Sequence, residues 1–139
     1  MLQRKQTLWL LCAAACAVLT MKFSFYSGHK LDAAKGAGID MLTAVSTIPL
    51  LLIGVVLALG CLVNIFGYKN RKRQLWITIA LIVVSLGNIL VYWLAHNKYL
   101  DGTFSLSALF TLAIPLLLIL AARGIMKDEK LVRSADRLR

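Results

Sequence analysis

Four apolar runs separated by polar segments divide this chain. They cover residues 7–26, 41–66, 75–95 and 106–122, each within or above the roughly 17–25 residues a helix needs to cross hydrocarbon. The second is long enough that its helix must tilt or start late. Between the runs lie a Gly-rich polar loop (27–40), a basic loop (67–74) and a short turn (96–105). The pattern predicts an all-α polytopic membrane fold, with residues 1–139 as one domain of four transmembrane helices in two in-out-in hairpins. A helical cytoplasmic tail, 123–139, follows. The third run carries Trp76 near one end and Tyr92 with Trp93 near the other, where amphipathic rings sit at membrane interfaces.

The first run has a second reading. Arg4 and Lys5 resemble the basic start of a signal peptide, and Ala13-Ala-Ala15 a small-residue cleavage site. Cys16 after three alanines hints at a lipoprotein box, although the usual large aliphatic residue is missing three positions earlier. The apolar run continues well past Cys16, which favours a retained span with Lys22 snorkelling to the outer interface.

Composition supports the membrane reading. The chain is 60% hydrophobic with a mean hydropathy of +0.78, against roughly 45–50% apolar residues in soluble domains. Its net charge of +10 does not point to nucleic acid, because the cations flank apolar runs. Charge also orients the spans. Placing both termini and the 67–74 loop inside puts Arg4, Lys5, Lys69, Arg71, Lys72, Arg73, Arg123, Lys127, Lys130, Arg133, Arg137 and Arg139 in the cytoplasm. These are twelve of sixteen basic residues, the bias expected of cytoplasmic loops. Lys22, Lys30, Lys35 and Lys98 remain outside.

Candidate chemistry is sparse. No Asp or Glu falls in any apolar run, whereas ion-coupled carriers usually place a carboxylate at mid-membrane. Asn64 and Asn88 are the main polar residues there, and with Gly54, Gly60, Ser85 and Gly87 they read as packing positions. Pro49 and Pro115 each free a carbonyl four residues back, so both read as helix kinks, with Ser46, Thr47 and Thr111 placed to satisfy the freed groups. His29 and His96 fall on the outer side and read as interfacial, with haem or metal ligation as the sharper alternative. Cys12, Cys16 and Cys61 lie in apolar runs and read as small buried residues; a thiolate metal site would want a fourth ligand. Serine or acidic clusters for hydrolysis are absent, so no catalytic, cofactor-binding or metal residues are assigned, and the chain is not expected to be an enzyme.

A repeated string, Ile48-Pro-Leu-Leu-Leu-Ile53 and Ile114-Pro-Leu-Leu-Leu-Ile119, raises duplication of the hairpin. The two prolines lie at different distances from their inner helix ends, which argues against it. The tail is rich in helix formers, with Leu131, Ala135 and Leu138 on one face and Glu129 one turn before Arg133. It reads as a membrane-lying extension of the fourth span or as a docking element.

Both ends of the chain carry motifs. Gln3, Arg4, Gln6, Thr7 and Trp9 at the start, with Lys127, Asp128, Glu129, Leu131, Val132, Arg133, Ser134, Asp136 and Arg137 at the end, resemble a domain-of-unknown-function family. Its members are small bacterial four-span membrane proteins. The resemblance implies a bacterial cytoplasmic membrane and a retained first span, and no activity, cofactor or partner. The expected function is therefore a non-enzymatic accessory or structural subunit of a membrane complex. Arg4, Lys5, Lys69, Arg71, Lys72, Arg73, Lys127, Arg133 and Arg137 would contact anionic lipid headgroups, another membrane protein or a second copy. The alternatives are a small dimeric carrier or channel using spans kinked at Pro49 and Pro115, and a haem- or metal-binding redox subunit.

Overall fold

The computed structural model describes residues 3–30, 40–45, 47–67, 70–97, 99–105 and 108–136. Four helices dominate: α1 (Gln3–Lys22), α2 (Ile48–Phe66), α3 (Arg71–His96) and α4 (Ala108–Asp136). Three strands, β1 (Tyr26–Lys30), β2 (Asp40–Leu42) and β3 (Tyr99–Phe104), lie in the connections after α1 and α3. α1 packs on α2 and α4, and α3 packs on the same two, closing an antiparallel ring.

Each helix turns one stripe to the shared core. Leu10, Ala13, Ala14 and Ala17 of α1 meet Leu57, Ala58 and Cys61 of α2, Leu81 of α3, and Ile114, Leu118 and Ala121 of α4. The three- and four-residue spacings bring these positions to one side of each helix. The small residues of α1 and α2 let backbones approach. A Cβ at Gly60 would lie 2.6 Å from Leu81 Cδ2, while one at Gly87 would meet nothing within 4 Å. Gly60→Ala should therefore destabilise by about 1 kcal/mol, overpacking outweighing its better helix propensity. Gly87→Ala should stabilise by up to about 1 kcal/mol. Denaturant unfolding in micelles separates the two; equal effects would contradict the packing at Gly60.

The bundle is apolar outside and carries polar groups within. Leu52, Val56, Leu59, Val63 and Phe66 form an exposed stripe on α2, and Trp76, Val83 and Leu90 one on α3. Asn64, Gln74, Thr78, Ser85, Asn88 and Thr111 are buried. Monomeric soluble proteins rarely expose so much contiguous apolar surface. Ile48–Phe66, Arg71–His96 and Ala108–Val132 are long and apolar enough to cross a membrane; the apolar part of α1, Gln6–Lys22, is shorter.

The structure differs from the expected loop and turn at the end opposite the basic loop. β1 pairs antiparallel with both neighbours, in the order β2-β1-β3. Tyr26 lies opposite Leu42 on one side and Phe104 on the other, and Gly28 lies opposite Gly102. The pairing continues below the sheet, where Phe25 N–H donates to the Leu42 carbonyl (2.7 Å) and Ser105 N–H to the Phe25 carbonyl (3.1 Å). The strands are short and lack an alternating apolar pattern, and Asp101-Gly102 resembles a hairpin turn. Tertiary pairing overrides that local preference. Beneath the sheet, Tyr26, Leu42, Ala44, Leu50 and Tyr92 form a second core.

Two further differences concern the prolines and the tail. Pro49 stands in the first turn of α2, behind an extended Thr47 (φ −135°, ψ 132°). There its missing N–H would be unpaired anyway, so it starts the helix and is not a kink. Pro115 does lie inside α4. That helix runs unbroken from the apolar segment into the tail, because Gly124 is flanked by helix formers and Ile125 and Asp128 keep its buried stripe in phase.

A polar latch at the basic end of the bundle

The residues that begin α1 and α3 and end the apolar part of α4 meet around Asp128. Its position, three after buried Ile125, keeps it on the inward face of α4, where it is 6% exposed. Gln6 lies four before Leu10 on the inward face of α1, and its Nε2 donates to Asp128 Oδ2. The approach needs a glycine one turn earlier on α4, since a Cβ at Gly124 would lie 2.9 Å from Gln6 Cγ. Arg71, in the first turn of α3, donates through Nη1 to the Asp128 main-chain carbonyl (3.0 Å). One aspartate thus ties three helices together, accepting a charge-assisted bond from a buried amide.

A second polar ring closes the α2–α3 hairpin one turn deeper. Asn64 Nδ2 donates to Thr78 Oγ1 (2.8 Å), Thr78 Oγ1 donates to the Gln74 carbonyl (2.8 Å), and Gln74 Nε2 donates to the Asn64 carbonyl (3.2 Å). Asn64, expected at a packing position, is fully buried, and the ring engages its Nδ2. Buried polar groups in lipid need partners within the protein.

The residues proposed to contact lipid or protein distribute unevenly. Arg71 is half-buried and engaged with α4, whereas Lys72, Arg73 and Lys127 are exposed. Lys69 and Arg137 lie outside the described residues, as do the side chains of Arg4, Lys5 and Arg133. At the other end, His96 is enclosed by rings: Tyr26 edge-on at 4.4 Å, Phe104 stacked at 5.1 Å and Trp93 at 6.2 Å. The side chain of His29 lies outside the described residues. Cys12, Cys16 and Cys61 are free. Among the described residues, no group of three or more His, Cys, Asp or Glu is disposed to hold a metal ion.

The Gln6–Asp128 pair was not singled out by its chemistry. A signal for it exists: each is a polar residue in phase with its helix's buried stripe. Their pairing depends on the register between α1 and α4, which no local pattern carries.

Fold and latch define a mainly helical chain with three helices fit to cross a membrane, fastened at its basic end by one buried aspartate. The chain belongs to a family described as a domain of unknown function (DUF4293), whose profile matches residues 2–138. The family expected from the two end motifs is thus shown, and the match takes in both Gln6 and Asp128. No curated protein and no solved structure matches the chain.

Proposed function

We propose that this protein is a four-span integral component of a bacterial cytoplasmic membrane, with both termini and the 67–74 loop in the cytoplasm. It serves as a non-enzymatic accessory or structural subunit of a membrane complex. Its basic end contacts a partner protein and anionic headgroups. The observation that carries this reading is the latch at Asp128. It ties α4 at Asp128 to the starts of α1 and α3, so that the exposed Lys72, Arg73 and Lys127 stand at one end of the bundle on helices fastened to one another. A fixed surface suits docking, because little ordering entropy is lost on binding. The carrier reading drew on two kinked spans, and Pro49 at a helix start leaves it with Pro115 alone.

The test is recovery of the protein at native expression in mild detergent, with mass spectrometry of what accompanies it. A stoichiometric companion is expected. Lys127→Glu combined with Arg133→Glu should release that companion while the helical circular dichroism stays unchanged. Recovery of the protein alone, or a companion indifferent to the charge reversal, overturns the docking role.

A further inference from the structure

A cleft opens between the basic ends of α2 and α3, on a different side of α3 from the bond to Asp128. It is open on one side, holds about 290 Å³, and is lined among the described residues by Val63, Gly67, Asn70, Arg73 and Ile77. The apolar part of its lining is continuous with lipid-facing surface, since Val63 is 64% exposed and belongs to the outward stripe of α2. Arg71 is committed to the Asp128 carbonyl, while Arg73 bonds to no described residue. Asn70 begins α3 through its backbone, its N–H donating to the Gly67 carbonyl (3.2 Å) and its carbonyl accepting from Gln74 N–H (2.9 Å). Its carboxamide makes no capping bond.

The two helices that wall the cleft carry charge of one sign only. The sequence contains no Asp or Glu between Asp40 and Asp101, so neither helix nor their connection holds an acid to neutralise Arg73. Trp76, 72% exposed, follows Arg73 by less than one turn, and an exposed indole at a span end marks headgroup depth. Beneath, the Asn64–Thr78–Gln74 ring fixes the separation of the two helices, so the cleft is preformed.

We propose that this cleft binds one anionic phospholipid. The phosphate lies on the Arg73 guanidinium and the Asn70 carboxamide, and the first methylenes of an acyl chain lie on Val63 and Ile77. The volume falls just below the roughly 300–1,000 Å³ typical of ligand pockets, which suits a phosphoglycerol group and not a whole lipid. Guanidinium matches phosphate by paired donors, and a phosphate without a tail would leave the apolar wall unused. The proposal rests on the membrane reading above and names a ligand site within it.

The experiment reconstitutes the full chain into nanodiscs of phosphatidylcholine containing phosphatidylglycerol, and counts lipids retained on the released protein by native mass spectrometry. One phosphatidylglycerol per chain is expected. Arg73→Gln should lower its retention about fivefold, Arg73→Lys should lower it less, and Lys22→Gln, at the other end of the bundle, should leave it unchanged. Circular dichroism establishes that each variant is folded. Equal retention in Arg73→Gln, equal retention of phosphatidylcholine, or displacement by inorganic phosphate would each overturn the site while leaving the membrane reading standing. A chain that fails to enter nanodiscs sinks the membrane reading and the site with it.

Discussion

Tyr92→Ala is expected to lower the unfolding free energy by about 3 kcal/mol, while Tyr92→Phe should leave it unchanged or raise it by up to about 1 kcal/mol. The ring is 1% exposed, stacks on Phe25 at 4.4 Å and belongs to the core beneath the sheet with Tyr26, Leu42 and Leu50. Its removal takes away the surface on which α2, α3 and the sheet are assembled. On the proposed membrane reading the low end of the aromatic-to-alanine range applies, since between helices in lipid the loss is one of packing more than of transfer from water. The hydroxyl is a different matter, being buried with no hydrogen-bond partner among the described residues. Such a group stabilises nothing and bears a desolvation cost. Unfolding in mixed micelles, followed by tryptophan fluorescence from nearby Trp93, measures both variants. Equal losses for the two would mean that the hydroxyl has a partner after all.

The second large effect belongs to the opposite end. Asp128→Ala removes the only described acceptor of the Gln6 amide, which is itself buried. The stranded donor costs about 2 kcal/mol, and the tail should become about 30-fold more open to trypsin at Arg123, Lys127 and Lys130. Asp128→Asn keeps a carbonyl acceptor and should lose less. Gln6→Leu with Asp128→Leu replaces both partners by apolar groups, and its loss should fall short of the sum of the single losses. Strict additivity would show that the two side chains do not act together.

The helices were legible because long apolar runs have few structural solutions in lipid. Their ends were less so. Ser46-Thr47 ahead of Ile48-Pro49 is a helix-start signal, yet it sits inside an apolar run that starts seven residues before Ile48 and is easily read through as one span. The sheet was hidden for a related reason. What holds Tyr26 against Phe104 is the return of the chain after α3, not any preference of five or six local residues. At the basic end the individual residues were in view, since Gln6 and Asp128 both stand in the end motifs. Their contact required knowing that α1 and α4 are neighbours, and that follows only from closing the ring.

The two closures of the molecule also set an order of assembly. β1 receives its second partner only from β3, and Gln6 receives its acceptor from a residue 122 positions later. Both arrive with the last third of the chain. A nascent protein holding only its first two helices thus presents a half-paired strand at one end and a stranded amide at the other. Contacts so distant in sequence form slowly, and open strand edges invite wrong pairing while they wait. Biogenesis of this small bundle is consequently most vulnerable in the interval before β3 and α4 emerge, β3 completing the sheet end and α4 the basic end.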